Sequence, residues 1–299
     1  MQTNPMTSAV LQDLPIREQA AAAADAAAGR AGLKIVELDD VDGIHEAADL
    51  LTGVWSATRE EPLIPANTLR ALAHSGNYVF GAYDRSSGMT GAIVGFLGRL
   101  HDSLQLHSHI LGVSPLSQGR NIGFALKLHQ RAWALAQGIG VVTWTFDPLV
   151  RRNAYFNIGK LGATVREYYP DFYGEMNDGI NDGDVSDRIL VQWSLTDVSV
   201  VEASEGRAVE HDLASLQRDG AVTALRVDGE GAPVLTGERG PVLLAEIPED
   251  IVRTRGASKA LADRWRGALR EVFLGSLQDG YVAAGMTRSG WYVFRDHAD

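Results

Sequence analysis

Leu106 to Gly138 constrains the fold more than any other stretch of the chain. It reads LHSHILGVSPLSQGRNIGFALKLHQRAWALAQG: an extended run, a tight polar turn, then a long amphipathic helix. Leu106 to Val113 predicts a strand, bounded by Pro115 and the polar pair Ser117-Gln118. A helix is expected from about Ile122 to Gly138, with Phe124, Leu128, Ala132, Leu135 and Ala136 on one face. Gly138 is a good stop for it. Between them, Gln118-Gly119-Arg120-Asn121-Ile122-Gly123 puts flexible backbone where the first amides of a helix have no internal acceptor. Those N–H groups, with the positive end of the helix dipole, can receive a phosphate. The same residues also suit an ordinary strand–turn–helix connection.

A chain of 299 residues has room for one large domain or two ordinary ones. With 45% hydrophobic and 22% charged residues it reads as a soluble globular protein. It has no cysteine, which removes disulfides, thiolate metal sites and thiol catalysis. Neither a membrane-spanning apolar run nor a signal-peptide pattern is visible, so the expectation is a cytoplasmic protein without a membrane role. The formal charge of −11 argues against nucleic acid as the main partner. Arg120, Arg151 and Arg152 could form a local basic patch, or be three solvated cations.

The rest of the chain supplies an α/β (α+β) pattern. Residues 1–33 end in an alanine-rich run with little to bury, expected as a flexible arm or frayed helix. Lys34 to Leu38 predicts a first strand, and Asp40 or Asp42 can cap a helix to about Trp55. On that helix His45-Glu46 lacks the second histidine of a zinc motif and reads as a solvated face. Pro65 opens a helix over Ala66–His74. Tyr78 to Tyr83, Thr90 to Leu100 and the Leu106 strand form an expected antiparallel meander. Val141–Phe146 predicts a strand, Asn153–Leu161 a helix, then Ala163–Tyr169 and Arg188–Leu195 two more strands. The polar loop between the last two is rejected as a calcium hand: fitting Gly183 to the loop glycine puts Ile180 and Ile189 at ligand positions. Beyond 196, strands at Val222–Val227 and Val242–Ile247, a helix capped by Ser258, and a terminal strand pair complete a smaller α+β portion.

The segment from Val113 and Pro115 through Gln118-Gly119-Arg120-Asn121-Ile122-Gly123 resembles the Q/R-x-x-G-x-G/A signature of the GNAT superfamily, the acyl-CoA N-acyltransferases. The order β-α-α-β-β-β-α-β-α-β-β resembles that family as well. The resemblance implies a GNAT-like mixed, mostly antiparallel sheet flanked by helices over 34–195, with 196–299 as an extension. It implies acetyl-CoA as acyl donor, held by Gln118, Gly119, Arg120, Asn121, Ile122 and Gly123 at its pyrophosphate. Leu111, Val113 and Asn153 would meet the pantetheine arm and thioester. The first motif glycine is here Asn121, a residue that tolerates positive φ. Asn153-Ala154-Tyr155 through Gly162-Ala163 resembles the family's second helix, but Ile158 stands where many members carry a tyrosine acid.

Acyl transfer to an amine needs a held thioester, a polarised carbonyl and a neutral amine. The resemblance places a base at His107; His109, two residues on, shares its side of an unbroken strand, and a bulge could change that. A histidine hydrogen-bonded within the sheet is the alternative. Asp147 could orient a histidine, bind the amine, or cap the following helix, and Tyr155 could protonate the leaving thiolate. No metal is expected, since the remaining histidines have no ligand spacing. The expected function is transfer of acetyl from acetyl-CoA to a small amine. A non-catalytic acyl-CoA-binding or sensory module is the alternative. The resemblance also implies a homodimer as an assembly to test.

Overall fold

The computed structural model describes residues 14–55, 62–85, 88–100, 103–174 and 185–296. Its elements between Leu33 and Ser194 follow the order expected from the sequence. The chain divides into two compact units, Met1–Thr143 with Ser194–Glu205, and Trp144–Trp193 with Gly206–Asp299. This differs from the expected boundary near 195. The physical reason lies in the second unit, where strands of the family-like part pair with strands of the extension.

In the first unit, helix α1 (Leu14–Ala31) precedes β1 (Leu33–Glu37), α2 (Val41–Val54) and α3 (Ala66–His74). The meander β2 (Tyr78–Asp84), β3 (Gly88–Leu100) and β4 (Ser103–Val113) follows, then α4 (Ile122–Ala136) and the start of β5 (Val141–Phe146). The strands lie in the order β1-β2-β3-β4-β5, antiparallel except for the β4–β5 pair. Asp40 settles the capping question: its carboxylate accepts from Gly43 N at 2.8 Å. Pro65 precedes α3 as expected. Helices α2 and α3 bury Ile44, Leu51 and Leu69 against Val79, Val94 and Ile110 of the sheet. Each such side chain contributes roughly 1.5–3 kcal/mol.

The alanine-rich run is no flexible arm where it is described. Ala20, Ala23, Ala24, Ala27 and Ala31 are buried in α1, which packs on α4. Small side chains let two helix backbones approach closely, so little apolar area per residue still makes a joint. Burial on α4 accordingly runs beyond the predicted stripe to Lys127, Gln130, Arg131 and Ala134, while Ala136 is exposed. Arg131, fully buried, ties the joint together: its Nε donates to Leu195 O at 2.9 Å and its Nη1 to Gln19 Oε1 at 2.8 Å. Gln19 in turn donates to Ser204 Oγ in helix α6 (Val198–Ser204).

In the second unit, helix α5 (Arg151–Ala154) runs into a π-helical segment, Tyr155–Lys160. Strands β6 (Thr164–Tyr169) and β7 (Arg188–Ser194) follow, then α7 (Leu213–Arg218), β8 (Val222–Val227), β9 (Pro233–Leu235) and β10 (Val242–Glu246). Helices α8 (Ile251–Ala257) and α9 (Lys259–Gln278) and strands β11 (Tyr281–Met286) and β12 (Trp291–Asp296) close the chain. The order is β7-β6-β11-β12-β10-β8-β9, so Val165 of β6 pairs with Ala283 of β11. Ser258 caps α9 through Leu261 N, as predicted. Trp265, Leu269 and Phe273 of α9 are buried, with Phe273 against Tyr168, Tyr292 and Phe294 at ring separations of 5.5, 5.0 and 4.9 Å. The middle of the predicted polar loop, 175–184, lies outside the described residues. Among those described, no helix is long and apolar enough to cross a membrane.

Candidate active site

The first unit holds most of the predicted site. The register of β3 and β4 slips by one residue: Val94 faces Ile110, but Gly95 faces Ser108. His109 is the extra residue of a β-bulge, which bends the strand and breaks its two-residue alternation. The break is visible in what each side chain meets. Ile110 lies in the core under α2 and α3. Ser108 points the other way, its Oγ accepting from Lys127 Nζ of α4 at 3.0 Å. The two histidines stay together on the side away from α4, with ring centroids 6.4 Å apart. Phe96, the cross-strand partner of His107, lies 5.1 Å from its ring and 5.7 Å from that of His109.

His107 is held from the adjoining strand. Leu106 pairs with Val142 and His107 with Thr143, and the Thr143 hydroxyl meets His107 Nδ1 at 3.2 Å. That contact leaves Nε2 as the ring nitrogen for other work. Burial, His109 and Lys127 lower the His107 pKa from 6.5 to about 4. His109 is more exposed, and desolvation lowers it too. Lys127 is buried between Ser108 and Gln130 Oε1, and burial holds its ammonium well below the usual lysine range. Sequence reasoning passed over Lys127 and Thr143. A lysine inside Phe124-Ala125-Leu126-Lys127-Leu128 was the signal for the first; no local signal marks the second.

The turn after β4 takes the form its residues suggest. A 3-10 segment at Pro115–Ser117 leads to Gly119 at φ +82° and Asn121 at φ +59°, ψ +22°. Asn121 is the residue before α4 and adopts the left-handed conformation that asparagine tolerates best after glycine. The helix then begins at Ile122-Gly123, whose amides precede the first intrahelical bond, Ala125 N to Asn121 O. Arg120 turns its side chain away: it pairs with Asp84 and donates to Ala31 O at 3.2 Å. Its backbone remains in the turn. Leu111 and Val113 lie on β4 beyond its two pairs with β5 in this unit.

The second unit holds the other predicted residues, and it gives most of them structural partners. Asp147 is buried in a two-pronged ion pair, with Arg266 Nη1 and Nη2 of α9 at 3.2 and 2.9 Å. Its Oδ1 also accepts from Leu149 N at 2.9 Å. The cap expected of it on the following helix falls instead to Val150, and Asp147 closes only the turn at Leu149. Asp187, fully buried, repeats the arrangement with Arg270 at 2.7 and 2.9 Å and accepts from Tyr168 Oη at 2.5 Å. Those partners keep its carboxyl below the usual range despite burial. Asn153 sits in the first turn of α5, where Val150 occupies the cap position. Tyr155 opens the π-helical segment under the Arg288 guanidinium, 5.7 Å from its ring. Ile158 is buried at 2% exposure, so its position offers no acid. Among the described residues, no group of three or more histidines or carboxylates could hold a metal.

No protein-family model and no curated protein matches the chain. The solved structures it is similar to include several acetyltransferases. An aminoglycoside acetyltransferase from an uncultured soil metagenomic sample, in complex with sisomicin, is 20% identical over 39% of this chain and 78% of that one, with a TM-score of 0.35. The NatC complex bound to Gag peptide and CoA is 18% identical over 55% of this chain and 99% of that one, at 0.42. A Bacillus cereus IAA acetyltransferase is 15% identical over 54% and 97%, at 0.40.

Proposed function

We propose that this chain is a GNAT-type N-acyltransferase that moves an acetyl group from acetyl-CoA to a small amine. One observation carries the reading: a bulged strand bearing His107 runs into a turn with two left-handed residues, Gly119 and Asn121, at the head of α4. Two left-handed residues in three turn successive amides toward one side, and the α4 dipole adds positive potential there. These residues fit a pyrophosphate. The edge of β4 at Leu111 and Val113 suits an extended amide-bearing arm bound by backbone pairing.

The chemistry then follows. The amine nitrogen attacks the thioester carbonyl carbon, the carbon–sulfur bond breaks, and its electron pair leaves on sulfur. His107 Nε2 takes the proton released by nitrogen, and the resulting imidazolium returns a proton to the thiolate, which leaves as CoA thiol. Thr143 fixes the imidazole ring for that task. Asp147 has no part in this mechanism, because Arg266 occupies both of its oxygens.

Calorimetric titration with acetyl-CoA tests the reading. Micromolar binding that weakens at least about 100-fold in Gly123→Glu supports it, since the new carboxylate would oppose the phosphates. Absence of binding at millimolar acetyl-CoA overturns it. A second reading, a non-catalytic acyl-CoA-binding module, draws on buried Ile158 and on Tyr155 lying under Arg288. It predicts binding without transfer to any amine.

A further inference from the structure

The surroundings of His107 say more than that a base is present. Among the described residues, the charged groups that act on its ring are His109 and Lys127, both cationic when protonated. The hydrogen-bond partner is a neutral hydroxyl, Thr143. The nearest ring is Phe96, 36% exposed, which also faces His109. The carboxylate that the sequence offered for an acceptor ammonium, Asp147, is bound to Arg266 within the other unit. A cationic acceptor such as a polyamine or alkylammonium would meet an aromatic and imidazole surface that, among the described residues, offers it no anionic partner.

We infer that the acceptor is an arylamine, its ring stacked on Phe96 and its neutral nitrogen at His107. The inference rests on the acyltransferase reading above and names the substrate class of that same site. An arylamine is uncharged at neutral pH because its lone pair is delocalised into the ring. It arrives ready to attack, and its nitrogen becomes acidic only once bonded to the carbonyl carbon. At that stage even a weakly basic imidazole accepts the proton, as Brønsted matching of base to acid requires. An alkylammonium must lose its proton before attack, which a base of depressed pKa does poorly. Phe96 supplies a stacking surface whose offset geometry suits a second aromatic ring.

The test compares 4-methoxyaniline with benzylamine and spermidine at pH 7, with acetyl-CoA binding measured on the same preparation. The expected result is a kcat/KM for 4-methoxyaniline at least about 100-fold above either alkylamine. Phe96→Ala should raise KM for the arylamine about tenfold. Phe96→Glu should shift the arylamine-to-benzylamine ratio toward benzylamine by a similar factor, a change that loss of folding alone would not produce. Equal or faster turnover of benzylamine or spermidine overturns the inference and leaves the acyltransferase reading standing. So does an unchanged ratio in Phe96→Glu. Acetyl-CoA binding with no amine acetylated overturns the inference in favour of a binding module. No acetyl-CoA binding overturns both.

Discussion

The His107 cluster and the Asp147 and Asp187 pairs treat ionisable groups in opposite ways. In the first unit, two imidazoles and a buried lysine lie close together, and among the described residues no carboxylate acts on His107. In the second, two buried carboxylates each receive both arms of an arginine. Arg266 and Arg270 are four residues apart on α9 and so project from one side of it. The second arrangement satisfies its charges, holds α9 to the ends of β5 and β7, and leaves nothing to react. The first leaves its groups poised and costs stability when they are protonated. Asp147, the carboxylate expected at the site from the sequence, is engaged by Arg266 and Leu149 N, and the cluster proposed to react is the one around His107.

The largest effect that would sharpen this contrast is kinetic. His107→Ala should lower turnover about 10³-fold, equivalent to ~4 kcal/mol of transition-state stabilisation, with acetyl-CoA affinity and urea midpoint nearly unchanged. Unchanged turnover across the pH range would remove His107 from the mechanism. Next, Arg266→Met should cost about 3–5 kcal/mol of stability in denaturant titration, because it strands a buried carboxylate. Adding Asp147→Leu should restore most of that loss, since the pair itself contributes little net stability. If Asp147→Leu alone abolished transfer while leaving the fold intact, the contrast would break. Packing gives a smaller effect. A Cβ on Gly112 would lie 2.8 Å from Leu51 and 3.0 Å from Trp55, so Gly112→Ala should destabilise the first unit by about 1–3 kcal/mol.

The last effect is on stability against pH. His107 titrates near 6.5 when unfolded and near 4 when folded. Between those values the unfolded chain binds more protons, so stability falls as pH drops from 6.5 toward 4 and levels below that. His107→Gln should flatten this limb in thermal melts recorded across that window. A limb equally steep in the variant would assign it to other groups.

Local chemistry was legible in the sequence where neighbours in the chain decide it. Asn121 takes the left-handed turn, Asp40 and Ser258 cap their helices, and the β2–β4 meander runs as its alternation indicates. What escaped depends on partners far away in the chain. Ala20 to Ala31 present too little apolar surface to announce a buried helix; the site that receives them is on α4. Asp147 is 119 residues from Arg266, and no spacing rule reaches that far. The bulge at His109 was legible only as an option, because a one-residue slip depends on the register of two strands rather than on the composition of one.

The Arg131 joint also sets a clock on synthesis. Its partners are Gln19, Leu195 and, at 3.4 Å, Ser204. At about 5–20 residues per second a ribosome places roughly ten seconds or more between making Gln19 and making Ser204. Throughout that interval α1 exists without its latch, and fifty residues belonging to the other unit emerge before the latch arrives. The first unit is therefore completed last by a segment made after part of the second. A nascent chain stalled before Leu195 can hold its N-terminal helix only by the α4 packing and the Gln19–Arg131 bond, without the contacts that Leu195 and Ser204 add.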